Sequence, residues 1–121
     1  MRVLVTGSRD WQDYQRVGSE LYHMWAQSGK HVSEMTLVHG ACPTGADYWA
    51  SQYATLWGWN VEPHPADWDA YGKAAGPRRN CEMTDSGVDL CLAFILPSSR
   101  GTRQCADYAE SKGVPVTRFT S

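Results

Sequence analysis

Apolar residues along the chain switch between two spacings, and each switch marks a change of element. Val3-Leu4-Val5, flanked by Arg2 and Thr6 and stopped by Gly7, predicts a central, fully buried strand over residues 2–6. Tyr14, Val17, Leu21 and Trp25 then recur at helical spacing, predicting a helix over residues 11–28 that Gly29 caps. A polar connection leads to a second strand over 35–39. Ala46, Ala50, Tyr53 and Trp57 mark one face of the next helix, which Gly58 closes. Residues 60–64 read as a more polar strand, and Pro63 places it at an edge. The connection over 65–76 is long for a compact α/β unit and rich in charge and aromatic groups, as functional or disordered loops are. Gly76-Pro77 starts a third helix that ends near Gly87, with proline where its missing N–H costs nothing. The almost unbroken apolar run over 89–95 predicts a strand covered on both faces. A helix over 101–112, capped by Gly113, and a strand over 115–119 complete the pattern.

The order βαβαβαβαβ predicts an α/β fold, a parallel sheet with helices on both faces, as one domain over residues 1–121. Ligands of such sheets sit beyond the carboxyl ends of the strands. Three small-residue junctions fall at that edge: Thr6-Gly7-Ser8-Arg9-Asp10-Trp11, His39-Gly40-Ala41-Cys42-Pro43-Thr44-Gly45-Ala46-Asp47 and Pro97-Ser98-Ser99-Arg100-Gly101-Thr102. Free N–H groups at a helix start attract anions, so a phosphate is expected at residues 99–102 or 44–46. Thr44 with Asp47 reads as a capping box, which leaves Asp47 to serve the cap, a ligand or both.

At 121 residues the chain is long enough to bury a core without staples. A net charge of −2 with a pI near 6.0 argues against nucleic acid as a partner. Four cysteines without a C-x-x-C pair predict neither a metal site nor a disulfide framework, and Cys81 and Cys91 read as ordinary buried residues. Met1-Arg2 runs straight into a strand with no signal peptide, and no apolar stretch approaches the roughly 20 residues of a membrane span. A cytoplasmic protein without a membrane partner is the expectation.

Six of the eleven Lys and Arg residues, Arg9, Lys73, Arg78, Arg79, Arg100 and Arg103, fall in the junctions or beside helix starts. Cations there are locally unfavourable by up to about 1 kcal/mol each, an effect that a bound anion reverses. Asp10, Asp47, Asp67 and Asp69 are interleaved with them, ready to accept from ribose hydroxyls or exocyclic amines. Trp11 and Trp68 lie in the same rim loops, where an indole stacks on a base. The combination suits a nucleotide or a phosphoribosyl compound. His39 and His64 at strand ends read as packing or hydrogen-bonding residues ahead of catalysts, by roughly two to one. Trp25, Trp49 and Trp57 read as core or oligomer contacts, and Cys42, near a helix start, lacks an identifiable base.

The three junctions, together with His64-Pro65-Ala66-Asp67-Trp68 and Gly72-Lys73-Ala74-Ala75-Gly76-Pro77-Arg78-Arg79-Asn80 with Met83, resemble the YspA-like branch of the SLOG superfamily, named for the Smf/DprA and LOG proteins. The likeness covers nearly the whole chain. It implies a Rossmann-like three-layer sandwich with strand order 3-2-1-4-5. It also implies a nucleotide-like ligand held by Gly7, Ser8, Arg9, Asp10, Trp11, His39, Gly40, Thr44, Gly45, Asp47, Asp67, Lys73, Arg79, Asn80, Ser99, Arg100, Gly101 and Thr102. No resident cofactor or metal is implied. Small proteins of this branch are common in bacteria and their phages. Many members of the superfamily pair, and six tryptophans leave apolar surface for a homodimer.

LOG enzymes cleave the N-glycosidic bond of nucleoside monophosphates with a P-G-G-x-G-T-x-x-E motif and an upstream arginine. Pro97, Gly101 and Thr102 match that motif, Ser98 and Ser99 replace its glycines, and Cys105 stands in place of the glutamate. Arg79 resembles the upstream arginine. Three functions follow from the resemblance. The first is a sensor or sequestering protein for a nucleotide-like molecule. The second is an N-glycosidase in which Asp10, Asp47 or Asp67 replaces the glutamate as acid or base. The third is a DNA-processing accessory, against which the acidic pI weighs.

Overall fold

The computed structural model describes residues 1–120. Five strands, β1 (Arg2–Gly7), β2 (Thr36–His39), β3 (Asn60–Pro63), β4 (Leu90–Ile95) and β5 (Val116–Thr120), form one parallel sheet in the order β3-β2-β1-β4-β5. Two helices, α1 (Tyr14–Ser28) and α2 (Gly45–Trp57), precede the single-turn α3 (Trp68–Tyr71), which is followed by α4 (Ala75–Asp85) and α5 (Arg100–Ser111). This is the Rossmann-like α/β arrangement that the resemblance implied. No helix is long and apolar enough to cross a membrane among the described residues.

Alternation along the strands sorts the core into two layers. Val3, Val5, Leu37, Leu92 and Phe94 pack with Val17 and Leu21 of α1 and with Ala46, Ala50 and Ala54 of α2. Leu4, Val38 and Cys91 face Met83 of α4 and Cys105 and Ala109 of α5. Small alanines let α2 lie close on the sheet, whereas the outer edge of the α1/α2 layer is aromatic. Trp25, Trp57 and Trp59 sit within 5.9 Å of one another there, with Tyr22 at its rim.

Three local expectations change. Helix α1 starts at Tyr14 rather than residue 11, because Asp13 caps it by accepting from Arg16 N–H. The connection over 65–76 is partly ordered. It holds α3, capped by Asp67 accepting from Ala70 N–H, and a 3-10 turn over Gly72–Ala74. Cys81 is half-buried rather than buried, while Cys91 is fully buried.

Candidate functional site

The three junctions meet at the carboxyl edge of the sheet, but they do different things there. The β1–α1 loop lies directly across the start of α2. Gly45, at φ +76°, could carry no side chain, since a Cβ would stand 2.2 Å from the Ser8 carbonyl oxygen. A Cβ on Gly7 would likewise meet that of Ala46 at 2.3 Å. Ala46 N–H points at Ser8 O at 3.4 Å, and the Thr44 hydroxyl donates to Arg9 O at 2.9 Å instead of capping its own helix. The N-terminus of α2 is therefore covered by the β1–α1 backbone.

The capping box is not formed either. Thr44 caps nothing, and the Asp47 carboxylate turns away from it to accept Gly40 N–H on Oδ2 at 3.0 Å. Its other oxygen, Oδ1, is buried and has no hydrogen-bond partner. Burial pushes the Asp47 carboxyl up to about 6, against the pull of the Arg79 guanidinium and the Gly40 and Cys42 amides. A buried carboxylate with one oxygen unpaired is costly, on the order of 1–3 kcal/mol. Such a group is a candidate for a functional site.

Arg79 lies a full turn into α4, not at its start. Its guanidinium donates to the carbonyls of Gly40 and of His64, the latter at 3.4 Å, and its Nε donates to Asn80 Oδ1 at 2.8 Å. Asn80 in turn donates to Gly101 O at 3.3 Å and Gln104 Oε1 at 3.1 Å, tying α4 to α5. His39 is buried, with Nδ1 accepting Ala41 N–H at 3.0 Å. Burial, with the neighbouring His64 and Arg79, lowers its pKa.

The start of α5 is built differently. Ser99 uses its hydroxyl to accept from Leu96 N–H at 3.0 Å, so no side chain caps the helix. Arg103 braces the same loop by donating to Pro97 O at 2.9 Å and Leu96 O at 3.1 Å. Gly101 and Thr102, in this uncapped first turn, line a cavity of about 290 Å³. Gly7, Ser8, Arg9, Asp10, Asp47, Arg79, Asn80, Ser99, Arg100, Gly101 and Thr102 line it, joined by Thr6, Cys42, Met83 and Ser98. The orphaned carboxylate and the uncapped helix thus share one chamber.

A second cavity of about 410 Å³ adjoins the first through Arg9, Cys42 and Arg79, and takes in Gly40 and Thr44. Several expected site residues lie outside both. Trp11 is 2% exposed, packed edge-on against Phe94 at 5.3 Å with its indole N–H donated to Asp13 O, so it offers a base no face. His39 is enclosed behind the cavities, and Gly45 is pressed against the β1–α1 backbone. Asp67 is committed as a cap, and Lys73 is exposed on its 3-10 turn. Cys105, at the position of the LOG glutamate, is fully buried beneath Thr6, and burial lifts its thiol to about 11. It provides no acid at neutral pH.

A Rossmann-like sheet with adjoining cavities at its carboxyl edge defines the class of protein. A profile of the YspA, cpYpsA-related SLOG family matches residues 1–71. The Gene 61 protein of Mycobacterium phage D29 is 43% identical over 125 residues, an alignment covering 98% of this chain and 95% of that protein. The chain belongs to the YspA, cpYpsA-related SLOG family, and it has a phage homologue.

Proposed function

We propose that the protein binds a nucleotide or nucleotide-derived small molecule in the chamber between Asp47 and the start of α5, as a sensor or sequestering protein. The observation that carries this reading is Asp47, whose buried Oδ1 lacks a partner and which lines the same cavity as Gly101 and Thr102 at the uncapped start of α5. One end of the chamber suits an anion, through a helix N-terminus with Arg100 beside it. The other end suits a hydroxyl donor, which would satisfy Oδ1. A sugar phosphate presents both groups at once. Mass spectrometry of small molecules released from the purified protein tests the reading: an intact nucleotide supports it, and a protein that neither carries nor binds any phosphorylated nucleoside contradicts it.

One observation favours hydrolysis as a second reading. Asp47, held near 6, keeps a fraction of its carboxyl protonated around neutral pH, as a general acid for a leaving base requires. Incubation separates the readings, because a glycosidase releases free base and a binding protein returns the nucleotide whole. For the expected homodimer, the matching surface is α2 and the turn after it. Residues 48–59 hold no charged side chain, and Leu56 is 78% exposed. An uncharged face can pair with its own copy without like-charge repulsion.

A further inference from the structure

The second cavity has a composition unlike the first. Ala41, Pro43, Pro65, Ala66 and Trp68 form its outer wall, with no carboxylate among its lining residues. Pro43 and Pro65 carry no N–H, so this wall is poor in donors and rich in flat apolar surface. Trp68 is 57% exposed, although the Asp67 cap fixes its single-turn helix and Gly76 of α4 lies under the indole edge. A large aromatic face held in place yet left open to solvent is an unused stacking platform. At about 410 Å³ the cavity also lies within the roughly 300–1,000 Å³ range of small-molecule sites.

Continuity with the first chamber identifies the occupant. Arg9, Cys42 and Arg79 line both cavities, so the space beside a ligand anchored at Asp47 and α5, on the far side of these three residues, is the one that Trp68 walls. Ala41, which lines the second cavity, holds φ +57°, the one non-glycine residue in the left-handed region among the described residues. Strain of this kind concentrates where a backbone is shaped for a ligand.

We propose that the second cavity is the subsite for the planar aromatic base of the ligand, with Trp68 as its stacking wall. This rests on the reading of the first chamber as the sugar-phosphate site. The wall recognises the base through its faces, since it offers little with which to read hydrogen-bonding edges. Trp68 is then a specificity-determining residue that the phosphate end does not feel.

Calorimetry with two probes, ribose 5-phosphate and adenosine 5′-monophosphate, on the parent chain and on Trp68→Ala and Trp68→Phe tests this. The expected result is an advantage of about tenfold or more for the nucleotide in the parent. Trp68→Ala removes that advantage and leaves ribose 5-phosphate affinity unchanged, and Trp68→Phe keeps most of it. The thermal midpoint should move little, because more than half of the side chain is exposed. If the parent binds both probes equally, or Trp68→Ala retains the advantage or weakens both probes alike, the base subsite is overturned and the phosphate site stands. If neither probe binds the parent, both readings fall together.

Discussion

The β2–α2 and β4–α5 junctions look alike in sequence, each a glycine-containing small-residue turn into a helix, and the structure uses them in opposite ways. In the first, the chain covers the helix start with its own groups: Ser8 O meets Ala46 N–H, Thr44 reaches Arg9 O, and Arg79 grips Gly40 O, leaving Asp47 Oδ1 as the unpaired buried atom. In the second, the serine that could cap α5 bonds back to Leu96 instead, and the helix start opens on the cavity. A helix N-terminus is an anion site only when the rest of the fold leaves it empty. What decides that is a contact from a loop more than thirty residues away, not the turn's own composition.

If the β2–α2 junction is internally satisfied, breaking it should damage folding. Arg79→Ala removes the cation beside buried Asp47 together with three hydrogen-bond acceptors' partner, and should cost about 3 kcal/mol or more in urea denaturation. A loss below about 1 kcal/mol would show that Arg79 is there for the ligand alone.

Asp47 probes the same junction through pH. Its folded pKa, about 6, lies above the ordinary 3.8, so the folded state prefers the protonated form. The associated stability is complete below about pH 4 and is lost as pH rises through 6, by up to about 3 kcal/mol. Asp47→Asn should abolish that slope, matching the parent near pH 4 and exceeding it near pH 8. Parallel stability curves for the two proteins would refute a buried, costly carboxylate.

For the open junction the expectation reverses. Arg100 is exposed on the first turn of α5, so Arg100→Ala should shift stability by no more than about 0.5 kcal/mol. The same change should weaken adenosine 5′-monophosphate by roughly ten- to a hundredfold, the worth of a charge-assisted contact. Unchanged affinity would move the phosphate elsewhere. Away from this site, Glu62 of β3 joins Arg2 of β1 at 2.8 Å and His64 at 2.6 Å, partners that hold its carboxyl down to about 2. The pair is partly exposed, so Glu62→Gln should cost only about 0.5–1 kcal/mol at neutral pH. That difference should fade as acid takes the parent through 4.5 toward 2.

Much of this architecture is legible in the chain because hydrophobic period and glycine punctuation are local signals. The runs at 3–5 and 90–95 have no polar alternative, and the three junctions fall at one edge whatever their contacts. What the sequence hides is pairing at a distance. Trp11 sits among polar loop residues and reads as a rim indole, yet it turns inward because Phe94 offers an aromatic partner across the sheet. Thr44 and Asp47 have the spacing of a capping box, but the Gly40 amide competes for the carboxylate and wins. Nothing local announces the left-handed Ala41 or the orphaned Oδ1. Trp68 kept its exposed position because Asp67 closes a single turn beneath it, a cap visible in the sequence only once α3 is known.

The contrast between the two helix starts can be measured directly by following backbone amides in a ¹⁵N NMR titration with adenosine 5′-monophosphate. The account predicts the largest shifts at Gly101 and Thr102, with Gly45 and Ala46 nearly unmoved because Ser8 and Arg9 already cover them. Large shifts at Gly45 and Ala46 with none at Gly101 and Thr102 would contradict it.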